Sequence, residues 1–279
     1  MEIEKLIEMI QLEDDSQLEI KQPFARPEQS ANVLFNFMSK LDYLKIILLN
    51  KAIIPRYYEE TIEYLDIDGL KRIAFPMTCF CDIHLNKLVP HMGFYGSFGI
   101  GLNKDWGIDK GIQPINYINR HSNLRGDFST IFSRSLNTSD EERENIKNYN
   151  NYLLTNLLFM KPLDGMMLRN GNYVSKNFHD EREWRYVPDF NRVDTELPLL
   201  VPLEQLNPKA YASYSEGIRQ RRELWLSFEY SVIKYLVVES ESDRNELIAF
   251  INSEIRASEI EQYLLISKIL VFNELREDW

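Results

Sequence analysis

The stretch His91–Tyr117, HMGFYGSFGIGLNKDWGIDKGIQPINY, constrains the fold of this chain more than any other. Six of the 11 glycines fall inside it (Gly93, Gly96, Gly99, Gly101, Gly107, Gly111), interleaved with Phe94, Tyr95, Phe98, Trp106 and Tyr117. Glycine in an extended run marks a bulge, a tight bend, or a place where a ligand or another strand approaches the main chain. Two readings stand side by side: a bent hairpin packed on a helix, and a strand that lines a ligand. Gly96-x-x-Gly99-x-Gly101 reverses the order of the dinucleotide fingerprint, and no Gly-Lys-Ser/Thr follows, so a phosphate loop is not expected.

A chain of 279 residues with 44% hydrophobic content can bury a sizeable core. The pattern divides it into an N-terminal appendage and linker over 1–30 and one α+β domain over 31–279. A net charge of −11 and a pI near 5.0 argue against broad binding of nucleic acid or anionic membrane, which reward a basic face. The basic cluster Arg219, Arg221 and Arg222 reads as a solvated face. The first residues, MEIEKLIEM, do not resemble a secretory signal, and no apolar run reaches membrane-spanning length, so the expected location is the cytoplasm without membrane insertion. Cys79 and Cys81 project to one face of a strand and suit reduced thiols. With His84 and His91 they form C-x-C-x2-H-x6-H, which matches no standard zinc spacing, and no metal site is expected.

Ile3, Leu6, Ile7 and Ile10 follow helical spacing, and Pro23 and Pro27 then break the chain into a linker. Residues 34–38 read as a buried strand, with Ser39 capping a helix that carries Leu41, Leu44, Ile47 and Leu48 and closes at a left-handed Asn50. A second extended segment leaves Arg56, Tyr57 and Tyr58 at a strand end, and a largely apolar strand over 73–82 delivers Asp82 at its exit. Residues 119–138 read as polar and turn-rich. Ser139 with Glu142 forms a capping box for a helix that ends at Lys161-Pro162. In a strand starting near Arg182, alternation puts Glu183 and Arg185 on one face. That pair is either a site or an edge-strand salt-bridge ladder. A ladder would leave Glu183 worth about 1 kcal/mol or less. Residues 191–223 read as an irregular excursion. Strands over 224–228 and 233–238, a helix from Ser242, a Ser258–Glu261 cap and a strand over 266–271 complete the chain. The expected architecture is a single mixed or antiparallel sheet with flanking helices.

Several segments, in this order, resemble the AbiGi family of abortive phage resistance proteins: LFNFM with its following helix and Pro55-Arg56-Tyr57; Phe75–Ile83; His91–Leu102 with Asp105-Trp106-Gly107; and Glu181–Pro188. The resemblance covers roughly residues 31–279. It implies phage defence by an antitoxin or sensor that works with a cognate toxin or another defence-system protein and answers a phage-derived trigger. The layout is also distantly similar to ADP-ribosyltransferases, which implies NAD as cofactor. Carried over by position, the tyrosine role falls on Tyr95, the late-strand glutamate role on Glu183, and the first-strand histidine role on Asn36. Arg56, Tyr57, Arg185 and Asp82 would then face the cofactor.

Overall fold

Val33, Leu34 and Phe35 are consecutive and all buried, the signature of a strand covered on both faces. The computed structural model describes residues 29–67, 69–138, 147–169, 172–190 and 193–277. In chain order, β1 (Val33–Met38), α1 (Leu41–Asn50), β2 (Ala52–Ile53), β3 (Arg56–Thr61) and the ten-residue β4 (Arg72–Cys81) come first. There follow α2 (Val89–Tyr95), β5 (Phe98–Asn103), α3 (Lys104–Asp109), β6 (Gln113–Pro114), β7 (Asn116–Ile118), α4 (Asn123–Leu136), α5 (Lys147–Leu158) and β8 (Met160–Pro162). The remainder comprises β9 (Asp164–Arg169), β10 (Asn172–Asn177), β11 (Glu183–Tyr186), α6 (Pro208–Arg219), β12 (Leu226–Ser227), β13 (Ile233–Val238), α7 (Glu241–Glu254), α8 (Glu259–Ile266), β14 (Ile269–Val271) and α9 (Phe272–Glu277).

The main sheet runs β14-β13-β5-β1-β4-β11-β6, with β3 pairing along the far part of β4. Among the described residues its pairings are antiparallel except β13 with β14. This is the expected α+β architecture with one mixed sheet and flanking helices. One face packs Leu34, Phe80, Ile100 and Leu236 against Leu44 and Leu48 of α1 and Leu247 and Ile251 of α7. The opposite face packs Phe35 and Cys81 against Leu88 and Met92, while Phe75 and Met77 meet Phe128, Phe132, Leu153 and Leu157 of α4 and α5.

The glycine-rich stretch is neither of the two forms expected of it as a whole. It folds as α2, β5 and α3, followed by β6 and β7, and the close approach is made by the neighbouring strand. Phe37 lies opposite Gly99 and Phe35 opposite Gly101. A Cβ would come within 2.6 Å of the Phe37 ring at Gly99 and 2.8 Å of the Phe35 ring at Gly101. At Gly96, φ is 123° and a Cβ would lie 2.2 Å from the Met38 carbonyl oxygen, so only glycine can turn the chain there.

Other local expectations change in the same way. Lys40, not Ser39, precedes α1, without a side-chain cap bond, and Lys51 rather than Asn50 takes the left-handed position, with φ 47°. Residues 119–138, expected as turns, hold the 14-residue α4, whose Ser122 side chain accepts from the Arg125 amide. Within 191–223 lies α6, capped by Asn207. The cap expected at Ser242 belongs to Ser240, whose box partner is Asp243, whereas the Ser258–Glu261 box forms as expected. The Ile3–Ile10 helix and the Ser139–Glu142 box lie outside the described residues.

Candidate functional site: a cleft over a buried ion-pair cluster

All six residues of β1 pair with β5, but only Phe35 pairs with β4, opposite Cys81. Beyond that pair the two central strands part, and the Asn36 side-chain amide donates across the gap to the Cys79 carbonyl at 2.9 Å. A cleft of about 590 Å³ opens there. Asn36 and Phe37 line it from β1, Tyr43, Ile46 and Ile47 from α1, Arg56 and Tyr58 from β3, and Thr78 and Cys79 from β4. His91, Tyr95, Lys161, Glu181 and Glu183 close one end.

That end is built from charges taken out of water in matched pairs. Glu181 and Glu183 are 4% and 5% exposed, and Arg185 is completely buried. Between the two glutamates Arg182 adopts a left-handed conformation, φ 44°, unusual for a residue other than glycine. Lys161 Nζ reaches Glu181 Oε2 at 3.1 Å and Glu183 Oε2 at 2.9 Å. The parallel pairing of β8 with β7 delivers Lys161 to this position. Arg185 binds the other oxygen of Glu183 through Nε at 2.9 Å, donates to the Leu158 carbonyl at 2.6 Å and reaches Glu60 Oε1 at 3.3 Å. Glu181 Oε1 accepts from the Tyr95 hydroxyl and pairs with Lys176. The Glu183 backbone N–H donates to the Tyr117 hydroxyl at 2.8 Å.

Burial alone would raise the Glu183 carboxyl, but Arg185 and Lys161 outweigh it and hold the group well below the usual carboxylate range. Glu181 is lowered too, because Lys161, Lys176 and the Tyr95 hydroxyl overcome its burial. Burial would lower Lys161, yet Glu183, Glu60 and Glu181 raise it well above the ordinary lysine value. Cys79 is raised well above the ordinary thiol value, by burial first and then by Glu183, so it is a protonated wall residue rather than a nucleophile.

His91 packs against Tyr95 with ring centroids 4.6 Å apart and ring planes tilted by 38°, and burial, reinforced by Lys176, pulls its pKa from 6.5 to about 4. The folded imidazole therefore stays neutral while the unfolded one gains a proton below pH 6.5. Stability accordingly falls between pH 6.5 and about 4, with a limiting cost of about 3 kcal/mol from this group. Melting temperatures across that window should decline less steeply for His91→Gln than for the unaltered protein. Equal slopes would assign the decline to other groups.

Of the residues singled out from sequence, Asn36, Tyr95, Glu183 and Arg56 share the cleft, and three others do not line it. Tyr57 is buried, donating to the Pro198 carbonyl at 2.5 Å. Arg185 lies behind Glu183 rather than beside a ligand. Asp82 is buried in an ion pair with Lys104 at 2.6 Å, an arrangement that also holds Ala31 through its carbonyl. Glu183 is likewise no edge-strand residue, because β11 lies between β4 and β6, so the small stability contribution expected of a surface ladder does not apply. Sequence reasoning missed Glu181, Lys161, Lys176, His91 as a ring in the cleft, and Tyr117. Glu181 was within reach of the pattern, two residues from Glu183 in one charged run. Lys161 carried no such signal, since its partners lie 20 and 22 residues away.

Fold and site together define an α+β protein whose central strands part over a cleft with a charge-compensated wall. The family model described as "Putative abortive phage resistance protein AbiGi, antitoxin" matches residues 51–239. An abortive phage resistance protein AbiGi of Lactococcus lactis subsp. cremoris is 38% identical over 252 residues, covering 82% of this chain and 100% of that protein. The chain belongs to the AbiGi family and is an abortive-infection defence protein. No solved structure matches, so the ADP-ribosyltransferase-like layout rests on sequence resemblance alone. Among the described residues, no helix is long and apolar enough to cross a membrane.

Proposed function

We propose that this protein serves abortive infection as an antitoxin, restraining a cognate toxin or another defence-system protein, and that the cleft is its sensing site for a phage-derived small molecule. The observation that carries the sensing role is the state of Glu183: both carboxylate oxygens are held by cations, at 2.9 Å from Lys161 and 2.9 Å from Arg185. A carboxylate so compensated makes a rigid, pre-organised wall and is a poor proton acceptor. The net charge of −11 suits an antitoxin that masks a basic partner by electrostatic complementarity. Co-expression with the product of the neighbouring gene tests the antitoxin role. Co-purification together with relief of that product's growth inhibition supports it. Failure of both rejects it.

The meeting of Asn36, Tyr95 and Glu183 in one cleft favours a second reading, an ADP-ribosyltransferase-like enzyme. A volume of about 590 Å³ lies within the range of small-molecule sites. In this reading bound NAD would supply the ADP-ribosyl group for transfer. The Asn36 amide oxygen would accept from a ribose hydroxyl, Tyr95 would contact the nicotinamide, and Arg56 would hold the diphosphate. Incubation with labelled NAD separates the classes. Label transfer by the unaltered protein and not by Glu183→Gln supports an enzyme, whereas absent transfer with intact toxin restraint supports the antitoxin.

A further inference from the structure

We infer that the cleft takes a planar heteroaromatic ligand bearing one anionic group, of the nucleoside monophosphate type, with Arg56 as the partner of the anion. The inference rests on reading the cleft as a binding site. Its first support is the charge inventory of the walls. Glu59 is held by Arg72 at 3.0 Å and by the Tyr211 hydroxyl at 2.6 Å, and Glu60 by Arg185 at 3.3 Å. Glu181 and Glu183 are held by Lys161, and by Lys176 and Arg185 respectively. Every carboxylate lining the cleft is therefore compensated. Among the cations, Arg219 pairs with Glu216 at 3.3 Å, and His91 is neutral at physiological pH. Arg56 is exposed, and its side chain makes no ion pair or hydrogen bond among the described residues, its backbone alone pairing with Met77 of β4. An uncommitted guanidinium at a cleft wall offers the forked donor geometry that phosphate and carboxylate groups accept.

The second support is the shape and polarity of the walls. Tyr43 and Tyr58, 43% and 46% exposed, line the cleft together with Phe37 and His91, so aromatic side chains make up much of its wall. Such rings favour a flat, polarisable body. An aliphatic tail would satisfy them equally, but not Asn36. Its amide nitrogen is committed to the Cys79 carbonyl, and its oxygen is left to accept from a ligand N–H or O–H. An alkyl chain over that oxygen would leave it without a partner, and a nucleobase edge or ribose hydroxyl would not.

Isothermal titration of the full chain with AMP, GMP, CMP and UMP, their nucleosides, inorganic phosphate and dodecanoate tests this. At least one monophosphate should bind about tenfold or more tightly than its nucleoside, and Arg56→Gln should erase that preference. Arg56→Lys should keep part of it, since charge survives and the fork does not. The exposed position of Arg56 should leave the melting temperature of both variants unchanged. If Arg56→Gln does melt early, the comparison of monophosphate with nucleoside on the unaltered chain and on Arg56→Lys decides. Absence of binding by all four monophosphates, an unchanged preference in Arg56→Gln, or dodecanoate binding in their place would overturn the inference. The titration contains no toxin, so a chain that binds none of these yet restrains its toxin refutes only this inference. A chain that binds one but restrains nothing refutes only the antitoxin reading.

Discussion

Lys161→Met lowers the unfolding free energy at pH 7 by about 3–5 kcal/mol, the range for removing one partner of a buried ion pair. The lysine is in contact with Glu181 at 3.1 Å and Glu183 at 2.9 Å, and both carboxylates are 5% exposed or less. Methionine fills similar volume but leaves two buried anions with one cation fewer. Arg185 and Lys176 keep the remaining oxygens partnered, which is why complete unfolding is not expected. Both carboxylates have lowered pKa values in the native protein, so their contribution is present above the ordinary carboxylate range and lost as pH falls through the folded values. Without Lys161 those values rise, and the variant's deficit narrows as the pH is lowered below about 4. Urea unfolding at pH 7 and at pH 3 measures both effects. Adding Glu183→Gln to Lys161→Met should recover part of the loss, because it removes one stranded charge. A deficit at pH 7 no larger than that of a surface pair, about 1 kcal/mol or less, would contradict a functioning buried cluster.

The part of this design that follows local rules is readable from the chain. The apolar run over 34–38 and the Ser258–Glu261 box predict a strand and a helix start, and both are found. Alternation through Glu183 and Arg185 correctly places the two on one face, where they bond to each other. Helix starts lie one or two residues from the cap that the pattern points to where several polar side chains compete, as at Ser240 and Ser242. Long-range partners stayed hidden. Lys161 looks like the punctuation of a helix end, and only the pairing of β7 with β8 turns it into the cation shared by two glutamates. Arg185 looks like a ligand-facing guanidinium, yet it is wholly buried, since β11 is flanked on both sides. The glycines announced a close approach, but pattern alone does not say that the approaching groups are Phe35 and Phe37 of a strand more than 60 residues earlier. The convergence of Asn36 with Tyr95 and Glu183 is of the same kind, set by where β1 and β4 part.

Asn36 offers the cleanest functional test, because its side chain contributes one hydrogen bond across the gap, to Cys79, and belongs to no ion pair. Asn36→Ala should cost only about 1 kcal/mol of stability, the net worth of such a bond. Ser258→Ala, which removes the cap of α8 away from the cleft, should cost a similar amount and serves as the matched control. The decisive measurement is phage plating efficiency on cells carrying the protein with its neighbouring genes, compared across the unaltered chain and these two variants at equal protein levels. If the cleft is the working site, Asn36→Ala raises plating by about tenfold or more, the factor equivalent to 1.4 kcal/mol at a site, while Ser258→Ala protects as the unaltered chain does. Equal protection by all three proteins would contradict the assignment of function to the cleft.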